Sequence, residues 1–167
     1  MLFLSLLLAS STPMPEMIPM DHKTLLGRTA PDFELKDNKG GTFTLSKKRG
    51  KHVVIAFWAS WCGPCQDELP QLVLLSKRYP KVHFIAVDVD RNPAAGRRML
   101  ERMKLKIPVA FDPENKALAR YDVASMPTSY IIDPKGTVKF RKVGYNKKDG
   151  LTQLENALAA MTRKGRK

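Results

Sequence analysis

The chain of 167 residues holds only two cysteines, three histidines and two tryptophans, and its 16 acidic residues are outnumbered by 29 Lys and Arg. Each shortage excludes something. Cys62 and Cys65 permit one disulfide, and a bridge across two intervening residues closes so small a loop that it removes little chain entropy. A structural staple is therefore the weaker reading. His22, His52 and His83 show no ligand spacing to the cysteines, so a closed metal site lacks donors. The apolar N-terminal run, "MLFLSLLLA", is about half the ~20 residues of a spanning helix. It has no Lys or Arg ahead of it and no cysteine after it, which speaks against a complete signal and against a lipoprotein anchor.

What the chain has in excess is positive charge, +13 in formal terms. That favours acidic partners or anionic surfaces. The cations are spread from Lys23 to Lys167, with denser groups at Lys47 to Lys51, Lys135 to Lys148 and the tail "RKGRK". They surround no aromatic platform and no helix-turn-helix pattern, so no nucleic acid is expected as a partner.

One domain is expected. Residues 1–22 read as a signal-like or anchor segment and linker, with Pro13, Pro15 and Pro19 and no strand or helix period. Residues 23–162 form the domain and 163–167 a basic tail. "APDFEL" and "DNKGGTFTL" make a hairpin pattern about Gly40 and Gly41. His52 to Ser60 is a near-continuous apolar run, as for a strand covered on both faces. From Gly63 the apolar spacing turns helical and ends near Arg78 and Pro80, with Pro64 suited to the first turn and Pro70 expected to kink the interior. Further strands are expected at Val82 to Asp90 and Val109 to Phe111, with a short helix over Asn92 to Lys104 and a helical turn from Glu114 to Tyr121. "TSYIID" and "TVKFRKV" flank a turn at Pro134, Lys135 and Gly136. A last helix is expected to be capped by Asn146 with Asp149 three residues on, its stripe made by Leu151, Leu154, Leu158 and Met161. The fold class is α/β: a central mixed sheet sandwiched by helices.

The cysteines sit where a buried strand hands over to a helix, in "FWASWCGPCQDELP". That segment, with "SMPTSYIIDPKG" and the opening "APDFEL", resembles the thioredoxin fold, and within it the extracytoplasmic thiol–disulfide oxidoreductases of the TlpA/ResA/CcmG group. The resemblance covers about Leu25 to Met161. It implies a thioredoxin fold with an N-terminal β-hairpin extension and a central helical insertion around Asn92 to Lys106. It also implies that Pro127 is cis and packs on the dithiol, where its neighbouring backbone would pair with an extended partner peptide. The buried strand acid of thioredoxin falls at Ala56, and the group instead places a glutamate where Glu68 stands. Ser125 replaces a glycine usual in the group.

Disulfide exchange needs a thiolate. Cys62, at the helix N-terminus, is placed where unpaired N–H groups and the helix dipole favour an anion, so it is the expected attacking residue and Cys65 the resolving one. Glu68, three residues beyond Cys65, lies on nearly the same helical face and would exchange protons with it if buried. Trp58 is expected in the core. Trp61, Gly63, Pro64, Met126 and Thr128 are expected around the dithiol as the partner-binding rim.

The expected function is disulfide reduction in exported proteins, exemplified in this group by cytochrome c maturation and copper-site assembly, with no cofactor beyond the Cys62–Cys65 couple. Its partners would be protein thiols and disulfides and a membrane or thioredoxin-type electron donor, and a monomer is expected. The expected location is periplasmic or otherwise extracytoplasmic, either free or held at the membrane by a truncated N-terminal segment. The alternative from a different class is a copper-handling thiolate module, and a peroxidase stands third, because the double-cysteine motif and Trp61 do not suit a peroxiredoxin's single-nucleophile loop.

Overall fold

A computed structural model describes residues 25–163. The signal-like segment with its linker, and the basic tail after Arg163, lie outside the described residues.

The chain builds β1 (Glu34–Asp37), β2 (Thr42–Thr44), β3 (Val53–Trp58), α1 (Gly63–Arg78), β4 (His83–Asp88), α2 (Pro93–Arg102), β5 (Val109–Phe111), α3 (Lys116–Arg120), β6 (Thr128–Ile132), β7 (Val138–Val143) and α4 (Thr152–Arg163). These strands form one mixed sheet in the order β2-β1-β5-β4-β3-β6-β7. The central β3, β4 and β5 are parallel, while β6, β7 and the N-terminal hairpin run antiparallel to their neighbours.

The continuous apolar character of β3 follows from its place between β4 and β6, where all six of its residues are buried. Alternation along the strands then gives each face its own content. Phe57 and Tyr130 share one face with Tyr121, their rings 5.2 to 6.3 Å apart, and the Tyr130 hydroxyl donates to the Tyr121 carbonyl. On the other face Ala56 pairs with Ser129 and Ser129 with Lys142, forming a row of small and polar residues across three strands. Helices α1 and α4 are joined by the Arg78–Glu155 ion pair at 2.5 Å.

The hairpin, the seven strands and the helices agree with the sequence, with small shifts at the ends. Asn92 lies outside α2 as its cap, its side-chain oxygen accepting the Ala94 N–H. The last helix differs more. The Asn146 side-chain oxygen accepts the Asp149 N–H and its side-chain amide donates to the Asp149 carboxylate, but they close a separate turn, and Gly150 with φ of +53° breaks the backbone before α4 begins at Thr152. Arg163, expected in the tail, is the last residue of α4. Helix α1 is continuous from Gly63 to Arg78 despite Pro70, which removes the N–H that would have bonded the Gln66 carbonyl.

Candidate active site

At the end of β3 the backbone turns, with the Cys62 N–H donating to the Ala59 carbonyl, and α1 starts. Cys62 is the N-cap, in an extended conformation, and Gly63 and Pro64 open the first turn, where an amide N–H has no intrahelical partner to lose. The Cys65 N–H is directed at Cys62 Sγ, 3.3 Å away. A thiolate at Cys62 would thus receive a backbone hydrogen bond and the positive end of the helix dipole. Cys62 and Cys65 are joined as a disulfide.

The two sulfurs have different surroundings. Cys65 is completely buried, whereas Cys62 reaches a groove of about 410 Å³. Trp61, Gly63 and Pro64 line one wall of it, and Leu118, Val123 and Met126 the other. Trp61 is 70% exposed, while Trp58 is fully buried in the core. The Met126–Pro127 peptide is cis. Thr128 departs from expectation: it does not line this groove. It is the first residue of β6, fully buried, and its hydroxyl donates to the Ser125 carbonyl at 2.7 Å, so it ties down the loop that carries Met126.

Glu68 is buried on the same face of α1 as Cys65. Burial pushes its pKa up to about 7, against the opposing charge of Lys142. The Lys142 ammonium is 3.7 Å from Glu68 Oε1, an ion-pair distance too long for a hydrogen bond. It also donates to the Gly144 carbonyl, and the Gly144 N–H donates to the Pro127 carbonyl at 2.7 Å. Lys142 therefore stands between the buried acid and the proline loop.

A pair of acids lies behind the dithiol loop. Asp90 accepts both the Ser60 N–H and the Ser60 hydroxyl, at 2.8 and 3.0 Å, and the Gln66 side chain donates to the Ser60 carbonyl. Asp88, at the end of β4, accepts the Asp90 N–H and is completely buried, and burial raises its pKa to about 8. Its Oδ2 has no partner and lies where a side chain on residue 96 would sit, only 1.9 Å from a Cβ placed on Gly96. Neither the two acids nor Lys142 stood out in the sequence. The alternation of Asp88 and Asp90 at a strand end was a readable sign, since it puts both on one face beside the turn into α1.

Among the described residues no three His, Cys, Asp or Glu side chains converge as a metal site. The chain matches the AhpC/TSA family over residues 26–141. It is 35% identical to a thiol–disulfide oxidoreductase ResA of Bacillus cereus over 142 residues, covering 84% of this chain and 80% of the relative. A ResA of Geobacillus kaustophilus is 40% identical over 116 residues, 68% of this chain and 67% of the relative. The chain belongs to the AhpC/TSA family and is a thiol–disulfide oxidoreductase. Solved structures agree. A thiol:disulfide interchange protein DsbE of Chlorobium tepidum superposes with a TM-score of 0.76 at 35% identity, covering 81% of this chain and 97% of that one. A protein disulfide isomerase of Bacteroides thetaiotaomicron gives 0.73 at 28% identity, over 83% and 91%. These relatives carry the thioredoxin fold expected from the sequence, and the disulfide at the head of α1 is the group that such exchange requires.

Proposed function

We propose that the protein reduces disulfides of exported proteins, with Cys62 as nucleophile, Cys65 as resolving thiol and Glu68 as the proton carrier of Cys65. The observation that carries this reading is the asymmetry of the pair: Cys62 at the mouth of an apolar groove with an N–H directed at its sulfur, and Cys65 buried above a buried acid. In the reduced protein the Cys62 thiolate attacks one sulfur of the partner's disulfide. A mixed disulfide forms, the partner's S–S bond breaks and its other sulfur leaves as a thiolate. Cys65 gives its proton to the Glu68 carboxylate and attacks Cys62 Sγ, and the partner's second thiolate departs. Two electrons have passed to the partner, and Cys62–Cys65 is a disulfide again.

A membrane or thioredoxin-type dithiol would return the pair to its reduced form. Partners in cytochrome c maturation or copper-site assembly fit the resemblance to the ResA and DsbE proteins, as does a periplasmic or other extracytoplasmic location. The residues expected around the dithiol take their places in this scheme: Trp61, Gly63, Pro64 and Met126 receive the partner, and Pro127 lies beside it in the loop that Thr128 secures.

The deciding measurement is the reduction potential of Cys62–Cys65 in a glutathione or dithiothreitol buffer. A value of about −250 mV or lower places the protein among reductants. A value of about −120 to −180 mV would assign it to oxidation or isomerisation and overturn the direction proposed.

A further inference from the structure

The dithiol occupies one end of the sheet, and cations crowd the other. Val53 of β3 pairs with His83 of β4 and Ile132 of β6, and Ile132 pairs with Val138 of β7, so the segments adjoining these residues form a single rim. They carry Lys47, Lys48, Arg49 and Lys51 ahead of β3, Lys81 ahead of β4 and Lys135 in the turn between β6 and β7. All but Lys48 are exposed. Contacts draw the segments together. The Gly50 N–H donates to the Pro134 carbonyl, the His83 N–H donates to the His52 carbonyl, and the Arg49 guanidinium lies against Gly136. After burial, the charges of Lys48 and Lys51 hold the His83 pKa below its ordinary value. Of the acids here, Asp133 is engaged by the Lys135 and Thr137 N–H groups and by Lys139, and Asp32 by the Ser46 N–H beside Arg49.

The chain joins the domain at this same rim. Gly27 N–H donates to the Val138 carbonyl, Val138 N–H to the Arg28 carbonyl and Ala30 N–H to the Gly136 carbonyl. Leu26, next to this junction, is 44% exposed. Upstream lie residues 10–24, which span at most about 50 Å when fully extended, and then the apolar run Met1 to Ala9.

We propose that this rim docks on an anionic lipid bilayer, with the dithiol facing away from it. The six residues of β3 alone separate the rim from the dithiol turn by roughly 17 Å. A bilayer suits the surface better than a nucleic acid. Phe43, under Lys48, is buried, Tyr79 before Lys81 is half-buried against the core, and the exposed aromatic Trp61 stands at the opposite end, so among the described residues the rim offers no fully exposed ring for a base. Diffuse lysine charge is what an anionic headgroup layer attracts. The inference does not depend on the direction of disulfide exchange.

The test is sedimentation of the full chain with vesicles of phosphatidylcholine alone or with about one third phosphatidylglycerol, comparing wild type with K47Q/K51Q/K81Q/K135Q. Each lysine near an anionic surface strengthens binding by about five-fold. Wild type is expected to bind the anionic vesicles at least ten-fold more tightly, and the variant to lose that increment while binding phosphatidylcholine as before. About 1 M salt should remove the same increment from wild type. An unchanged rate of dithiothreitol reduction shows that the variant is folded. Equal binding of wild type to both vesicles overturns the proposal. So does loss of the increment on substituting the tail cations Lys164, Arg166 and Lys167 with Gln while the rim variant retains it. Tighter binding of a duplex oligonucleotide than of anionic vesicles, at equal phosphate, would assign the rim to nucleic acid instead.

Discussion

Lys142 Nζ lies 3.7 Å from Glu68 Oε1 with both side chains buried, the lysine 9% and the glutamate 2% exposed. The pair is held by strand register, because Lys142 stands opposite Ser129 and Ser129 opposite Ala56, under the helix that carries Glu68. The lysine's charge counteracts part of the burial that raises the Glu68 pKa to about 7, and so keeps the carboxyl able to change protonation near neutrality.

Replacing Glu68 with Gln should slow resolution of a mixed disulfide by about ten- to hundred-fold at neutral pH, the scale of a lost proton carrier. Attack by Cys62 should be much less affected. Lys142→Met should move the midpoint of the resolution profile upward from near 7, since an opposing charge has gone and the burial remains. Stopped-flow rates against pH check both. An E68Q profile identical to wild type would remove Glu68 from the mechanism.

Stability should fall as pH rises from about 4 to 8, through these two acids. Glu68 and Asp88 have folded pKa values of about 7 and about 8, above those of the unfolded chain, so the native state binds more protons in that window. Their contribution is complete below the unfolded pKa and is lost as pH passes the folded values. His52 and His83, with lowered pKa values, act oppositely as pH rises toward about 6.5. The cleaner observable is therefore a difference. Asp88→Asn keeps the acceptor for the Asp90 N–H and cannot ionise, so its urea midpoint should rise relative to wild type between pH 6 and 9. A difference independent of pH would refute the assignment.

Asp90→Ala should cost about 2 to 4 kcal/mol, measured by urea denaturation. It removes two hydrogen bonds to a buried carboxylate and leaves the Ser60 N–H without its acceptor. Because Ser60 is two residues before Cys62, the exchange rate should fall as well, and Asp90→Asn should restore most of both. Loss of stability without any change in rate would limit Asp90 to a structural role.

Much of this arrangement was legible in the sequence because it is local. The apolar run into Trp58, the Cys62 cap and the Glu68 position all lie within residues 52–68, where local spacing determines what shares a face. The hairpin about Gly40 and Gly41 was legible for the same reason. Lys142 was not, being 74 residues from Glu68, in a strand whose alternation says only that it faces one side of a sheet. Its partner depends on the order β3-β6-β7 and on the register between them. Thr128 misled because it follows the proline motif directly. It opens a strand that is buried on both faces, and its hydroxyl bonds the Ser125 carbonyl.

Trp61 separates protein partners from small disulfides. At 70% exposure it is held by little of its own structure, and with Met126 it walls the groove into which Cys62 opens. A flat aromatic in such a place contributes by covering the residues that flank a partner's cysteine, contacts that a small disulfide lacks. Trp61→Ala should thus lower kcat/KM for a protein disulfide by about ten-fold or more and leave reduction of hydroxyethyl disulfide within about two-fold, with no loss of thermal stability. An equal loss on both substrates would mean that the ring acts on the sulfur itself, through the reactivity of Cys62, and the groove would lose its standing as the partner's binding surface.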